Sequence, residues 1–417
     1  MFLSKDEERM FDGEYGTGVE KAMKLLVKYG EAFDAERMVN VTSVHNMPLE
    51  PYKLLLEMTE GAKPNPNVLT TIHAFMSAFD PTCWKEMGIS ESFAEKELDL
   101  FNKRLEIYKK MQWLQIFTCV PFLVGNLPKK GDICSWIGSG LQIFCNSLLG
   151  ARTNREGSTS TLASAITGKT PLTGLLETQN RYGQILVEPK GLDFKNFSNE
   201  DFGAFGYYIG ALARNQNVVI NGMPNLSVEQ CKFLFTPQPV SGAVGLCHVV
   251  GVTPEAPIVD QAFGDNIPEE RITVDKKCIE EAWEAYSTAR SDKVDLVIFG
   301  CPHCSISEIR NIAVLLGNTK TARDTRLWLA TADQIKLLAT RMGYTGIIEN
   351  AGGVFSSSCM ASIPEAPFPD DIEVIATNSI KAAHYITRLT KGKIDVLYGT
   401  MKDCVASAIS GKWVHLK

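Results

Sequence analysis

The sequence lacks several features that would fix its class outright. It has no stretch of 18 uncharged apolar residues; the longest candidate, Met111–Phe122, carries Gln112 and Gln115 and is too short to span a bilayer. No membrane role is expected. It has no run of five like charges, and 42 basic against 48 acidic residues leave a net charge of −6. A nucleic-acid surface built on clustered Lys and Arg is therefore not expected. The opening MFLSKDEERMFDGEYG is charged almost at once and has no apolar secretion core. The expectation is a soluble cytoplasmic protein. No repeat of roughly 20–50 residues is present, nor any low-complexity tract. With 45% hydrophobic and 22% charged residues, this excludes collagen, coiled coil and wholesale disorder.

What the sequence does have is cysteine: eleven, an odd number, from Cys83 to Cys404. Without a secretion signal, these point to reduced thiols rather than a disulfide framework, some as metal ligands and most as small core residues. A chain of 417 residues makes about two to three domains and needs no staples to build a core.

The expected fold class is α/β. Residues 1–115 read as a mainly helical region, with helices over Gly18–Tyr29 and Phe93–Trp113. Residues 116–290 read as a mixed middle region. It holds a short strand over Ile116–Val120, a helix over Ser139–Leu149, the polar loop Gly150–Gly157 and a small-residue helix closed by Gly168. Residues 291–417 alternate strand and helix, as parallel βαβ units do. Strands are expected over Val294–Phe299, Leu327–Ala330, Glu373–Ala376 and Ile394–Tyr398, and Ser305 with Glu308 forms a capping-box pattern after the first. Ligands in such sheets bind where strands end, which directs attention to GCPHCS, TADQ, TNSIK and GTMKD.

Cys301 and Cys304 form a CxxC at the first of these ends. Alone, it admits three meanings: half of a zinc site, a thiol redox pair, or one cysteine of a set that holds an iron–sulfur cluster. No second CxxC completes a zinc ribbon. Cys119, before Pro121, and Cys359, in NAGGVFSSSCMAS, are loop thiols near element ends, readable as ligands or as buried structural groups. Arg152 and Arg155 in the polar loop can grip a carboxylate or phosphate, with Thr153 and Asn154 adding hydrogen bonds and the helix from Ser158 its dipole. The plainer reading of that loop is an exposed basic turn. His45 in NVTSVHNMP, His303, Ser379 and Lys381 are further candidates; a lone histidine is often structural, and Ser379 sits where an N-cap would.

TCVPF, NSLLGARTNREG, GCPHCS, SSSCM and TNSIKAAHY, in this order, resemble the large subunit of the aconitase X family. The likeness runs from LSKDEERMFDGEYG to SAISGKW. It implies an aconitase-like, multi-lobed fold and a hydro-lyase acting on a small anionic hydroxy acid such as phosphomevalonate or cis-3-hydroxy-L-proline. It also implies an iron–sulfur cluster, or a mononuclear iron, held by Cys119, Cys301 and Cys359. Cys304 matches no cysteine of the resemblance. The resemblance keeps His45 as a substrate or cluster neighbour at the catalytic centre; from their positions, Ser379 and Lys381 are expected there too, Arg152, Thr153, Asn154 and Arg155 around the substrate, and His303 either orienting the cluster or donating to substrate. Three thiolates leave one iron without a protein ligand, open to substrate as a Lewis acid.

The resemblance also implies that the proton-abstracting base comes from a swivelling domain on a small partner subunit, and no such segment is expected beyond SAISGKW. One departure stands out: where the family often carries AWAESSA, this chain reads SWIGSGL over Ser135–Leu141 and has no glutamate. That puts the substrate, or full activity, in question. The competing expectation is a non-catalytic or thiol-redox binding protein that uses Cys301 and Cys304.

Overall fold

The computed structural model describes residues 1–74, 79–289, 291–361 and 368–416. Three parallel sheets follow one another along the chain. The first has strands β1 (Ser43–Asn46), β2 (Leu69–Ile72) and β3 (Cys134–Trp136), with β1 in the centre. The second has β4 (Ile185–Pro189), β5 (Val218–Ile220), β6 (Cys247–Val249) and β7 (Glu270–Val274), ordered β6-β5-β4-β7. The third has β8 (Leu296–Phe299), β9 (Arg326–Ala330), β10 (Gly353–Ser356), β11 (Val374–Thr377) and β12 (Asp395–Tyr398), ordered β10-β9-β8-β11-β12. Every pairing in these sheets is parallel, as strands joined through helices require.

The third sheet follows the sequence pattern closely. All four residues of LVIF in β8 are buried, as in a strand covered on both faces. Ser305 caps the following helix, Ile306–Leu316, and the reciprocal bond from Glu308 is present. Helices Asp333–Arg341, Ile380–Leu389 and Met401–Ser410 cover the sheet in turn. Large side chains such as Trp328, Phe299 and Tyr398 are almost wholly buried, and each contributes about 1.5–3 kcal/mol by leaving water.

Two sequence expectations fail here for local reasons. The run Ile116–Val120 is irregular, not a strand: Phe117 takes a positive φ of 39°, and the chain turns into a short helix at Pro121–Leu123. The segment around Cys359 begins with a strand, β10, at the sheet edge. Its Gly and Ser residues have low strand propensity and read as loop. The final residue of NAGGVFSSSCMAS, Ser362, lies outside the described residues.

Helices dominate the N-terminal stretch, with Thr17–Ala32 and Glu91–Lys110 the longest; the face expected of the latter keeps Phe101 and Tyr108 buried but leaves Leu98 exposed. Between them run β1 and β2, too short to show a period. A buried polar chain ties this sheet together: Trp136 Nε1 donates to Ser43 Oγ (2.8 Å), Ser43 to Asn126 Oδ1 (2.6 Å), and Asn126 Nδ2 to Thr71 Oγ1 (2.8 Å). Among the described residues, no helix is long and apolar enough to cross a membrane.

Candidate active site

The carboxyl ends of the first and third sheets meet at one cavity of about 630 Å³. Met47 follows β1, His73 follows β2, and the run Ile137–Gln142 follows β3. From the third sheet come Gly300 to His303 after β8, Ala330 at the end of β9, Cys359 after β10 and Lys381 after β11. Strand ends place polar loops without disturbing the core beneath, which is why such edges host chemistry.

Cys119, Cys301 and Cys359, separated by up to 240 positions in the chain, all line this cavity. The side chain that stitches their loops together is His303. Its Nε2 donates to Ser358 O (3.1 Å), next to Cys359, and its Nδ1 accepts from the Thr118 hydroxyl (3.0 Å), next to Cys119. Its backbone N–H donates to Cys119 Sγ (3.2 Å). Burial in this bracket pushes the imidazole pKa down to about 3, so the ring is neutral. Both ring nitrogens are engaged by protein. His303 is therefore a brace between the cysteine loops, which favours the orienting role over the substrate-donor role among the two the sequence offered.

The loops are fixed from behind as well. Asp80 accepts from Ser357 N (2.7 Å) and from the hydroxyls of Ser356 (3.1 Å) and Ser357 (3.2 Å), which anchors the approach to Cys359. Lys232, deeply buried, donates to His303 O (3.3 Å) and pairs with Glu308 under the Cys301 loop. Ser379 caps the helix Ile380–Leu389 by accepting from Ala382 N (3.0 Å), and donates to Cys301 O. It borders a small adjoining void rather than the main cavity. The catalytic role expected of Ser379 gives way to that of a clamp.

His45 is likewise displaced from its expected role. The ring is fully buried, with Nε2 donating to Thr118 O (3.1 Å) and Nδ1 against the Thr71 hydroxyl (2.8 Å). It stands behind His73, with ring centroids 5.3 Å apart. His73 is the imidazole that lines the cavity; burial lowers its pKa to about 4, and its Nδ1 donates to Ala74 O (2.8 Å).

The Gly150–Gly157 loop divides in two. Arg155, exposed, lines the cavity and donates to Ala243 O (3.1 Å). Arg152 is turned elsewhere, donating to Leu176 O (2.8 Å) and Thr178 Oγ1 (3.0 Å), with Glu255 at 3.9 Å. Thr153 Oγ1 accepts from Trp136 N (3.0 Å), and Asn154 bridges Thr173 O (3.0 Å) and Leu175 N (2.8 Å). These three fold the loop, and of the four only Arg155 lines the cavity. Glu156, which the sequence reading passed over in favour of its basic neighbours, is buried in the cavity wall.

Lys381 supplies the inner positive charge. Burial opposes that charge, but Cys301, Tyr385, Cys119 and Cys359 around it prevail, and its pKa lies above normal. One ammonium thus acts on all three thiols. In return it draws the Cys119 thiol down, though burial is the larger effect and leaves it at about 11. Cys304 belongs to the buried cluster that holds Val297 and Phe299, with Glu308 and Lys232 near enough to act on it, while Cys301 packs into the cluster that borders the cavity. Burial pushes the Cys304 thiol well up. A buried thiol with a raised pKa is a poor redox nucleophile, which weighs against Cys304 as half of a redox pair.

Among the described residues, no three His, Cys, Asp or Glu side chains are gathered tightly enough to cage a single metal ion. The three thiols ring a cavity instead. Soft thiolate donors of this kind would suit an iron–sulfur group or a single iron as the resident centre.

Comparison with known proteins places the chain among relatives. Models of the first, second and third domains of aconitase X match residues 1–179, 183–284 and 294–410. The chain is 37% identical to the phosphomevalonate dehydratase large subunit of Methanocaldococcus jannaschii, over 97% of this chain and 99% of that one. It is 26% identical to the cis-3-hydroxy-L-proline dehydratase of Pseudomonas aeruginosa, over 98% of this chain and 70% of that one. The crystal structure of Thermococcus kodakaraensis aconitase X in its holo-form superposes with a TM-score of 0.84 at 32% identity, covering 98% of this chain and 100% of that one. On its sequence, its domains and its fold, the chain belongs to the aconitase X family of hydro-lyases.

Proposed function

We propose that this chain is the large subunit of a two-subunit, iron–sulfur-dependent dehydratase that removes water from a small anionic hydroxy acid, phosphomevalonate before cis-3-hydroxy-L-proline. The observation that carries the reading is the His303 bracket, which joins three cysteine loops around one cavity that also holds Lys381. Cys119, Cys301 and Cys359 would hold the cluster. When bound, it supplies a Lewis acid that makes hydroxide a better leaving group.

The chain's own residues bind and orient. A cavity of about 630 Å³ suits a small ligand and excludes a polymer. Arg155 at the rim and Lys381 inside offer two separate cations, which matches a substrate with a phosphate at one end and a carboxylate at the other. Identity favours the same substrate: relatives named for phosphomevalonate stand at 37% and 38%, those named for hydroxyproline at 26% and 27%. The base that removes the carbon-bound proton is assigned to the small subunit, since relatives of matching length are named large subunits.

The test is an anaerobic assay of this chain, alone and co-expressed with a small subunit, on both substrates. Turnover of phosphomevalonate by the pair and none by the chain alone is expected. Activity of the isolated chain would overturn the two-subunit reading. An iron-loaded pair inert on both substrates would overturn the dehydratase reading.

A further inference from the structure

We propose that Glu156 is the acid of this dehydration: its carboxyl proton leaves with the substrate hydroxyl as water. The inference rests on the hydro-lyase reading and adds a catalytic residue to it.

Glu156 is the one carboxyl among the described residues that line the cavity. The wall after β3 is Gly138, Ser139 and Gly140 and offers no carboxyl. Glu156 is 6% exposed. Its Oε2 accepts from Ser160 Oγ (2.6 Å), while its Oε1 is buried with no hydrogen-bond partner among the described residues. A buried polar atom without a partner is costly unless a ligand completes it.

The surroundings favour the neutral acid. Burial raises the carboxyl pKa first, and the Ser160 bond opposes it only in part. Tyr29, from the helix Thr17–Ala32, faces it from behind as a neutral phenol whose own pKa is raised to about 12. The cavity's cations, Arg155 and Lys381, and its neutral imidazoles, His73 and His303, complete the titratable groups on the open side, with Tyr385 and the three cysteines. With Oε2 committed as an acceptor, the proton belongs on Oε1, where it needs an acceptor of its own. A substrate hydroxyl oxygen provides one.

The step balances. The base takes the proton from the carbon adjacent to the leaving group, and that electron pair becomes the new double bond. The C–O bond breaks with its pair on oxygen, and the Glu156 proton joins that oxygen to release water. Glu156 is left as carboxylate and the base protonated; one proton passed between them through solvent resets both.

Glu156→Gln keeps shape and the Ser160 contact but has no acidic proton. In the anaerobic two-subunit enzyme, kcat should fall by about 100- to 10,000-fold with KM and iron content little changed. The decline of wild-type kcat as pH rises through the acid's pKa should vanish from the residual activity. Infrared spectroscopy of the isolated chain, which needs neither metal nor partner, should show a protonated-carboxyl band that Glu156→Gln lacks and Glu156→Asp retains. Should Glu156→Gln fail to assemble, Glu156→Asp carries the kinetic test, with an intermediate kcat and the pH decline preserved. Wild-type turnover in Glu156→Gln, an unchanged pH profile, or no band that depends on Glu156 would overturn the assignment while leaving a dehydratase. A wild-type pair with no dehydratase activity would overturn the hydro-lyase reading itself, and this inference with it.

Discussion

Serine in place of Cys119, Cys301 or Cys359, one at a time, should abolish turnover and release iron, whereas Cys304→Ser should leave both intact. All four side chains are small and at least partly buried, so a simple volume argument does not separate them. Position does. The first three line the cavity and act on Lys381, whereas Cys304 sits in the buried cluster that holds Val297 and Phe299. A hydroxyl in that core costs about 1–3 kcal/mol of stability, visible as a lower melting temperature and not as lost iron. Turnover, iron content and thermal melting of the four variants, purified without oxygen, make the check. Loss of iron in Cys304→Ser, or its retention in any of the other three, would undo the ligand assignment.

Lys381→Met should lower kcat/KM by about 100- to 1,000-fold, the loss typical of a buried charged contact to a reacting anion, with iron retained. The acidic groups that hold this ammonium charged are Cys301, Tyr385, Cys119 and Cys359. With the three thiols taken up by a metal, that positive charge would be left to face substrate. Space around it is narrow: a Cβ on Gly140 would stand 3.1 Å from Lys381 Nζ and 2.8 Å from Thr236 Cγ2. The longer, forked Arg does not fit the same point, so Lys381→Arg should not rescue. Steady-state kinetics alongside iron determination decides; a change smaller than about threefold in Lys381→Met would remove Lys381 from the substrate site.

The legibility of this fold followed the length and burial of its strands. The third sheet could be read because LVIF and its successors are continuous apolar runs between capped helices. β10 was hidden because only two of its residues, Val354 and Phe355, are strand formers, flanked by Gly and Ser, and it pairs with β9 alone. Ile116–Val120 looked like a strand by composition, but the positive φ at Phe117 and the proline at 121 bend it into the site, which is how Cys119 reaches the cavity.

Within the site, residue type could be read and direction could not. The sequence marks Arg152 and Arg155 alike, and only tertiary packing sends one to Leu176 and Thr178 and the other to the cavity. His45 lies inside β1 and is sealed by Thr71 and Thr118, whereas His73 lies just past the end of β2 and borders the cavity. The strand-end rule would have found His73 had β2 been recognised.

Iron and acid-labile sulfide content, measured on the chain purified without oxygen beside its Cys119/Cys301/Cys359 triple-serine variant, tests the thiol-held cluster most directly. Iron and sulfide together in the first and neither in the second are expected. Iron without sulfide would point to a mononuclear centre instead of a cluster, and a wild-type protein free of iron, or a triple variant that keeps it, would contradict the site altogether.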